Sequence, residues 1–255
     1  MLLRAEDLGK RFGGVAALEA VDLELERGAV HALIGPNGAG KTTLLNLLSG
    51  IYRPDSGSIS FDHQALTGKS PHEFAAAGIS RTFQNLQVFF NMTVLENVMT
   101  GRWLHERCSL ACALLRLPSL ARAERACREA AAALLDTVGL ARWADARADN
   151  LPYGALKRLE IARALAAEPR LLLLDEPAAG LNPSETREID ELIRRTAARG
   201  VTVVLVEHNM KLVMEVSQHV TVLDYGRKLA EGEPRAVSRD PRVIEAYLGA
   251  EACST

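Results

Sequence analysis

Cysteine is scarce in this chain of 255 residues: there are four, Cys108, Cys112, Cys127 and Cys253, and no two form a C-x-x-C pair. That excludes a disulfide scaffold and predicts free thiols in a reducing compartment. No run of 18 apolar residues occurs, so no segment is expected to span a membrane. The best candidate, LHERCSLACALLRLPSL, is interrupted by Glu106, Arg107 and Arg116. The start, MLLRAEDLGKRF, turns charged too soon for a signal peptide. Charge of one sign is also missing. Thirty Lys and Arg face 32 Asp and Glu, a net charge of −2, so no global field draws the chain to nucleic acid. No internal repeat is visible. What remains is a chain long enough for one large or two small domains, with 48% hydrophobic residues for a core.

The most informative stretch is GPNGAGKTTLL, residues 35–45, which lies between an apolar strand and a leucine-rich helix. It fits G-x-x-x-x-G-K-[ST], with Gly35, Gly40, Lys41 and Thr42 at the fixed positions. Glycines let successive N–H groups turn inward and cradle a phosphate. A helix starting near Lys41 adds its positive dipole end. Lys41 supplies charge for the outer phosphates, and the Thr42 hydroxyl is placed for Mg²⁺. The loop therefore predicts nucleoside triphosphate binding.

Along the chain, residues 1–30 read as short strands with turns at Gly13-Gly14 and Gly28, and GSISFDHQAL (57–66) as one more strand. Residues 71–77 suggest a short helix, and GISRTFQ a strand that ends in a loop. From about 93 to 167 Ala, Leu, Arg and Glu dominate with helical period, broken at Pro118, Gly139 and Pro152. RLLLLDEP and VTVVLVEH are continuous apolar strands of the kind buried on both faces of a parallel sheet. SETREIDELIRRTAARG is an amphipathic helix closed by Gly200. HVTVLDYGRKLAEGEP reads as a hairpin turning at Tyr225-Gly226, and DPRVIEAYLG as a closing helix. Strand and helix alternate around the phosphate loop, which indicates an α/β core.

Asp175 and Glu176 end one buried strand. Such a pair can be a solvated cap; beside a phosphate loop, the first suits Mg²⁺ and the second an attacking water. His208 ends the next strand. A lone histidine there is commonly structural, but its place after the acidic strand favours reach to a γ-phosphate. Gln84, after GISRTF, is a weak signal alone. LPYGALKRLEIARAL (151–165) places a turn at a helix N-terminus, a further anion site or simply a cap. Leu86, Val88, Phe89 and Phe90 gather in one loop, either a docking patch or part of the helical insert's own core.

Together these motifs resemble the ATP-binding subunit of ABC transporters over nearly the whole chain. Gly35, Pro36, Asn37, Gly38, Ala39, Gly40, Lys41, Thr42 and Thr43 match that family's Walker A loop, Gln84 its Q-loop and Leu171–Glu176 its Walker B strand. Leu151, Pro152, Tyr153, Gly154 and Ala155 hold its signature position, Ala179–Asn182 its D-loop, and His208 its switch histidine. Phe12 matches the aromatic that stacks on adenine, although a Phe there could equally be core. RTFQNLQVFFNMTVLENV, DEPAAGLNPSET, VEHNM and GEPRAVSRDPRVIEAYLG are similar to the longer-insert ATPase of branched-chain amino-acid importers; importers of urea or short amides share much of the pattern.

The resemblance implies a single P-loop NTPase domain. Its core of mixed, mainly parallel sheet and its antiparallel β subdomain would occupy about 1–84 and 166–255, and its helical subdomain about 85–165. It implies ATP and Mg²⁺ as cofactors, with Thr42, Gln84 and Asp175 as metal ligands and Glu176, His208 and Gln84 as catalytic residues. It implies a second ATPase subunit, identical or different, transmembrane permease subunits, and indirectly a periplasmic binding protein, at the cytoplasmic face of the inner membrane. The usual signature is L-S-G-G-Q; here Pro152 replaces the serine, so a hydroxyl and an N–H are both missing. Rival readings are a soluble non-transport ABC ATPase, an ATP-holding regulatory module, and a GTPase, for which NMKL (209–212) lacks the aspartate of N-K-x-D.

Overall fold

A computed structural model describes residues 1–105 and 118–252. Cys108, Cys112 and Cys253, and most of the interrupted apolar stretch, lie outside the described residues. The strands are β1 (Leu3–Phe12), β2 (Val15–Leu25), β3 (Val30–Ile34), β4 (Ser56–Phe61), β5 (Gln64–Ala65), β6 (Ile79–Arg81), β7 (Leu171–Asp175), β8 (Thr202–Val206), β9 (His219–Asp224) and β10 (Arg227–Gly232). The helices are α1 (Lys41–Leu48), α2 (Pro71–Ala76), α3 (Val94–Gly101), α4 (Pro118–Thr137), α5 (Tyr153–Ala166), α6 (Pro183–Ala198), α7 (Met210–Val216), α8 (Pro234–Val237) and α9 (Pro241–Ala252).

Two sheets form. One is antiparallel, in the order β2-β1-β4-β5; the other runs β10-β9-β3-β8-β7-β6, with only β10 antiparallel to its neighbour. β3, β7 and β8 are buried at every position, as parallel strands covered on both faces must be. Alternation sorts their side chains. Leu171 and Leu173 face a core shared with α1 and the antiparallel sheet. Leu172 and Leu174 face a core shared with α3, α4, α5 and α6. Among the described residues no helix is long and apolar enough to cross a membrane.

Several local expectations change. The opening strands are long rather than short. β1 and β2 shift register three times, with Asp7 and Ala20 at positive φ (48° and 50°); such bulges break the alternation by which strands are recognised. The segment 57–66 is not one strand. Asp62 and His63 both take positive φ, 48° and 64°, and turn the chain from β4 into β5. Pro118 is the first described residue of α4, and the expected break there borders residues outside the described ones. α7 is a helix that the residue pattern does not announce; the Asn209 side chain caps it by accepting from the Leu212 N–H at 3.2 Å.

In the loop 82–93 that joins β6 to α3, the end nearer α3 is held by a buried amide. Asn97, 0% exposed, accepts from the Phe89 N–H at 2.9 Å and donates to the Phe89 and Thr93 carbonyls, both at 2.9 Å. Replacing Asn97 with Ala strips the Phe89 N–H of its acceptor. It should destabilise the fold by about 1–3 kcal/mol, read as a lower denaturation midpoint with an unchanged slope.

Candidate functional site

The phosphate loop explains its own glycines. A Cβ on Gly35 (φ 149°) would lie 2.1 Å from the Leu223 carbonyl oxygen, and one on Gly40 (φ 101°) 2.7 Å from the Ala17 carbonyl oxygen. No other residue fits at either point. Gly40 is also the N-cap of α1, with no side-chain cap and no acidic residue in the first turn. The first N–H groups of α1 are thereby left for an external anion. Asn37, Gly38 and Thr42 are exposed, Pro36, Gly40 and Thr43 half-buried, and Ala39 buried.

Lys41 is 7% exposed, and its Nζ donates to the Gly35 and Pro36 carbonyls at 2.7 and 2.8 Å. Burial lowers its pKa, opposed by the charges of Glu176 and Asp175. The ammonium is thus stored on the loop's own carbonyls, from which a phosphate can draw it.

Opposite the loop, β7 delivers Asp175 and Glu176. Asp175 is buried and paired with Arg81 at 3.1 Å. Burial raises its pKa and Arg81 pulls it back. Arg81 also donates to Asn46 Oδ1 at 2.6 Å and Ser49 Oγ at 3.1 Å, tying the carboxylate to α1. Glu176 has φ 49°, a strained backbone for a non-glycine residue and of the kind that gathers at functional sites. That turn aims its carboxylate at two neighbours. His208 Nε2 lies 2.9 Å from one oxygen, and Gln84 Nε2 donates to the other at 3.4 Å. Gln84, Glu176 and His208 therefore come together. β8, which leads into His208, runs between the loop strand and the acidic strand.

Phe12, 44% exposed and edge-on to Tyr52 at 5.2 Å, is not part of the core. It ends β1 in the hairpin whose Ala17 carbonyl abuts Gly40.

The segment Leu151–Ala155 starts α5. Pro152 is the N-cap and makes no side-chain cap bond. The Ala155 and Leu156 N–H groups turn back to the Pro152 carbonyl, so those of Tyr153 and Gly154 face outward from the first turn. Gly154 is closely packed: a Cβ there would meet Glu185 Oε1 at 2.4 Å. Among the described residues no hydrogen bond or ion pair joins this segment to the phosphate loop of the same chain.

The residue pattern singles out neither Arg81 nor Glu207. The carboxylate that Arg81 pairs with is 94 residues away, beyond any local pattern. Glu207 stands in view beside His208, but its neighbours in space are backbone groups.

No group of three or more His, Cys, Asp or Glu side chains among the described residues is arranged to hold a metal. The Thr42 hydroxyl, Asp175 carboxylate and Gln84 carbonyl are the mixed set that the motifs assign to a metal. These are hard oxygen donors, few in number, and they fit Mg²⁺, which keeps waters and binds substrate phosphates. The Arg81 pair uses one Asp175 oxygen, and Gln84 spends only its amide nitrogen on Glu176.

A glycine-built phosphate loop facing an acidic strand end across one β-strand defines a P-loop nucleoside triphosphatase. The family model for ABC transporters matches residues 18–179, and a second, for branched-chain amino acid ATP-binding cassette transporters, matches 227–253. The chain belongs to the ABC transporter family; it binds ATP and is an ATPase. It is 44% identical to the high-affinity branched-chain amino acid transport ATP-binding protein BraF of Pseudomonas aeruginosa, over 97% of this chain and 98% of the relative. It is 45% identical to the corresponding protein LivG of Escherichia coli K12, with the same coverage. The solved ADP conformation of MJ1267, an ATP-binding cassette of an ABC transporter, superposes with a TM-score of 0.84 at 34% identity, covering 97% of this chain and 98% of that one.

This geometry separates binding from turnover. Lys41→Ala should weaken ATP binding severely, measured by calorimetry, with an unchanged circular dichroism spectrum. Glu176→Gln should keep ATP affinity while hydrolysis falls by ~10²-fold or more, the scale of a lost general base.

Proposed function

We propose that this chain is the ATP-hydrolysing subunit of an importer for branched-chain amino acids, working at the cytoplasmic face of the cell membrane. The observation that carries the reading is identity of 44–45% along 97% of the chain to two ATP-binding proteins of branched-chain amino acid transport, joined by the separate match at 227–253.

In the hydrolytic step, Glu176 accepts a proton from the water that attacks the γ-phosphorus. His208, held 2.9 Å from Glu176, donates toward the γ-phosphate oxygens, and Lys41 neutralises charge on the β- and γ-phosphates. Phe12 offers its ring to adenine. Thr42, Asp175 and Gln84 would hold Mg²⁺, which would supply positive charge at the phosphate oxygens. Two ATPase subunits sandwich the nucleotides, each between one subunit's phosphate loop and the other's Leu151–Ala155.

A groove of about 640 Å³ is the candidate seat of the permease; Ile51, Phe83, Leu86 and Phe89 line it. Its wall is wired to the site. The Glu160 carboxylate receives the Phe83 and Gln87 N–H groups at 3.4 Å each, and Lys157 Nζ reaches the Gln84 carbonyl at 3.4 Å. A helix pressed against Phe83 and Phe89 moves the same loop that carries Gln84. Val88 is buried and Leu86 packs on the helical core, whereas Phe89 and Phe90 are each 46% exposed.

The test is reconstitution with the neighbouring permease genes and a periplasmic binding protein in proteoliposomes. ATP-driven leucine uptake is expected. Uptake of urea or a short amide instead reassigns the solute, and ATP turnover with no permease association favours a soluble ATPase. Phe89→Asp should abolish uptake while ATP affinity of the free chain is retained.

The Pro152 cap favours a different chain as the second subunit. In a homodimer both γ-phosphates meet a signature without its hydroxyl, a loss worth about 1.5–3 kcal/mol for a bond to a charged group. The lone chain should therefore show low ATPase activity at any concentration. Adding the partner ATPase, or Pro152→Ser, should raise it roughly tenfold.

A further inference from the structure

Parallel pairing around β8 stops at Val206. The Glu176 N–H makes the last such bond, to the Val206 carbonyl at 2.9 Å; beyond it the chains diverge, and the N–H groups of Ala178 and His208 turn to a side chain instead. One side chain gathers them. Glu207 is 4% exposed. Its Oε1 accepts from the Ala178 N–H at 2.8 Å, and its Oε2 from the His208 N–H at 3.2 Å. The Asn209 N–H also acts on this carboxylate. Among the described residues no cation is paired with it. A buried carboxylate without a cation is costly, and here the Glu176 charge nearby adds to the cost. Backbone N–H groups on both sides offset it.

The arrangement requires two acceptor oxygens facing opposite ways. Ala178 lies two residues beyond Glu176 and opens the turn that leads to Asn182, with the Leu181 N–H on the Ala178 carbonyl at 3.2 Å. His208 and Asn209 lead into α7. Glu207 thus clamps the segment carrying Glu176 to the segment carrying His208, and the 2.9 Å contact between those two side chains is made across the clamp.

We propose that Glu207 is a positioning residue for ATP hydrolysis: its carboxylate holds the His208 backbone in register with Glu176, and through Ala178 it links that pair to the 179–182 turn. The inference rests on the reading of Glu176 and His208 as the hydrolytic pair. It assigns Glu207 no contact with nucleotide; it acts through His208 and the turn.

Glu207→Gln keeps the shape but leaves one acceptor oxygen, so either Ala178 or His208 faces an amide NH₂. In the full chain assayed with its partner subunits, kcat should fall about tenfold or more, the scale of a lost bond to a charged group. ATP affinity by calorimetry should stay within about twofold, since the phosphate loop is untouched. A purely structural role would lower the melting temperature without splitting kcat from ATP affinity. A double-mutant cycle sharpens the test. Added to His208→Ala, Glu207→Gln should cost little more; effects that multiply overturn the proposal. Should the Gln variant melt early, Glu207→Asp, with the charge kept and the reach shortened, must show the same split. Wild-type kcat in Glu207→Gln, with Glu176→Gln and His208→Ala both impaired, overturns this inference alone. Wild-type turnover in Glu176→Gln overturns the hydrolytic reading beneath it.

Discussion

One register governs the site. Val206 pairs with Leu33 on one side and with Asp175 on the other. The three strands therefore end level, and the segments that leave them, the Gly35 loop, Glu176 and Glu207-His208, emerge along one line. Neighbouring strands lie about 4.8 Å apart, so the phosphate loop and the acidic pair sit roughly 10 Å from each other across β8. A gap of that width suits a γ-phosphate and a water. A slip of one residue in β8 would turn every side chain to the opposite face and would remove His208 from Glu176. The unbroken burial of β3, β7 and β8 is what makes the register hard to change.

Charge is buried where those strands end, and little of it is explained by stability. Lys41 and Glu207 are each under 10% exposed, and so is the Arg81–Asp175 pair. A buried ion pair is weak support for a fold, because desolvation consumes most of its attraction. Each group has specific partners: loop carbonyls for Lys41, Arg81 for Asp175, backbone N–H groups for Glu207. The Lys41 ammonium can exchange its carbonyl partners for a phosphate without a large movement of backbone, which suits a site that accepts and releases a highly charged nucleotide, whereas the Glu207 partners are fixed in the main chain. Glu160, one layer away, repeats the device with the Phe83 and Gln87 N–H groups.

The features legible in the sequence are those whose physics is local. A phosphate loop carries its glycines, lysine and helix start within a few residues, and buried strands announce themselves as apolar runs. Asp175, Glu176 and His208 are legible because they come directly after such runs. Arg81, Asn97 and Glu207 are not, because what each does depends on distant chain or on backbone groups that no residue pattern records. The β4–β5 turn escapes the pattern because Asp62 and His63 adopt positive φ without a glycine. The run Leu86–Phe90 divides between core and surface. Val88 enters the core and Phe89 stays at the groove, an alternation fixed by the buried Asn97 amide in the first turn of the next helix.

That amide bears on coupling. The loop from Thr82 to Thr93 contributes Gln84 to the site and Phe83 and Phe89 to the groove. Its main chain is gripped at separate points, by Lys157 and Glu160 of α5 and by Asn97 of α3. α5 begins at the signature segment, whose outward N–H groups lie at the helix start, N-terminal to Glu160. A force on Phe89 is thus shared between the loop that touches Glu176 and the helix that presents Tyr153 and Gly154. In the proposed two-subunit sandwich, one surface would inform two half-sites: Gln84 in the subunit's own, and Leu151–Ala155 in its neighbour's. With no hydroxyl at Pro152, the second message would be carried by backbone N–H groups and helix dipole alone. These point along α5 and so turn with it as a rigid body.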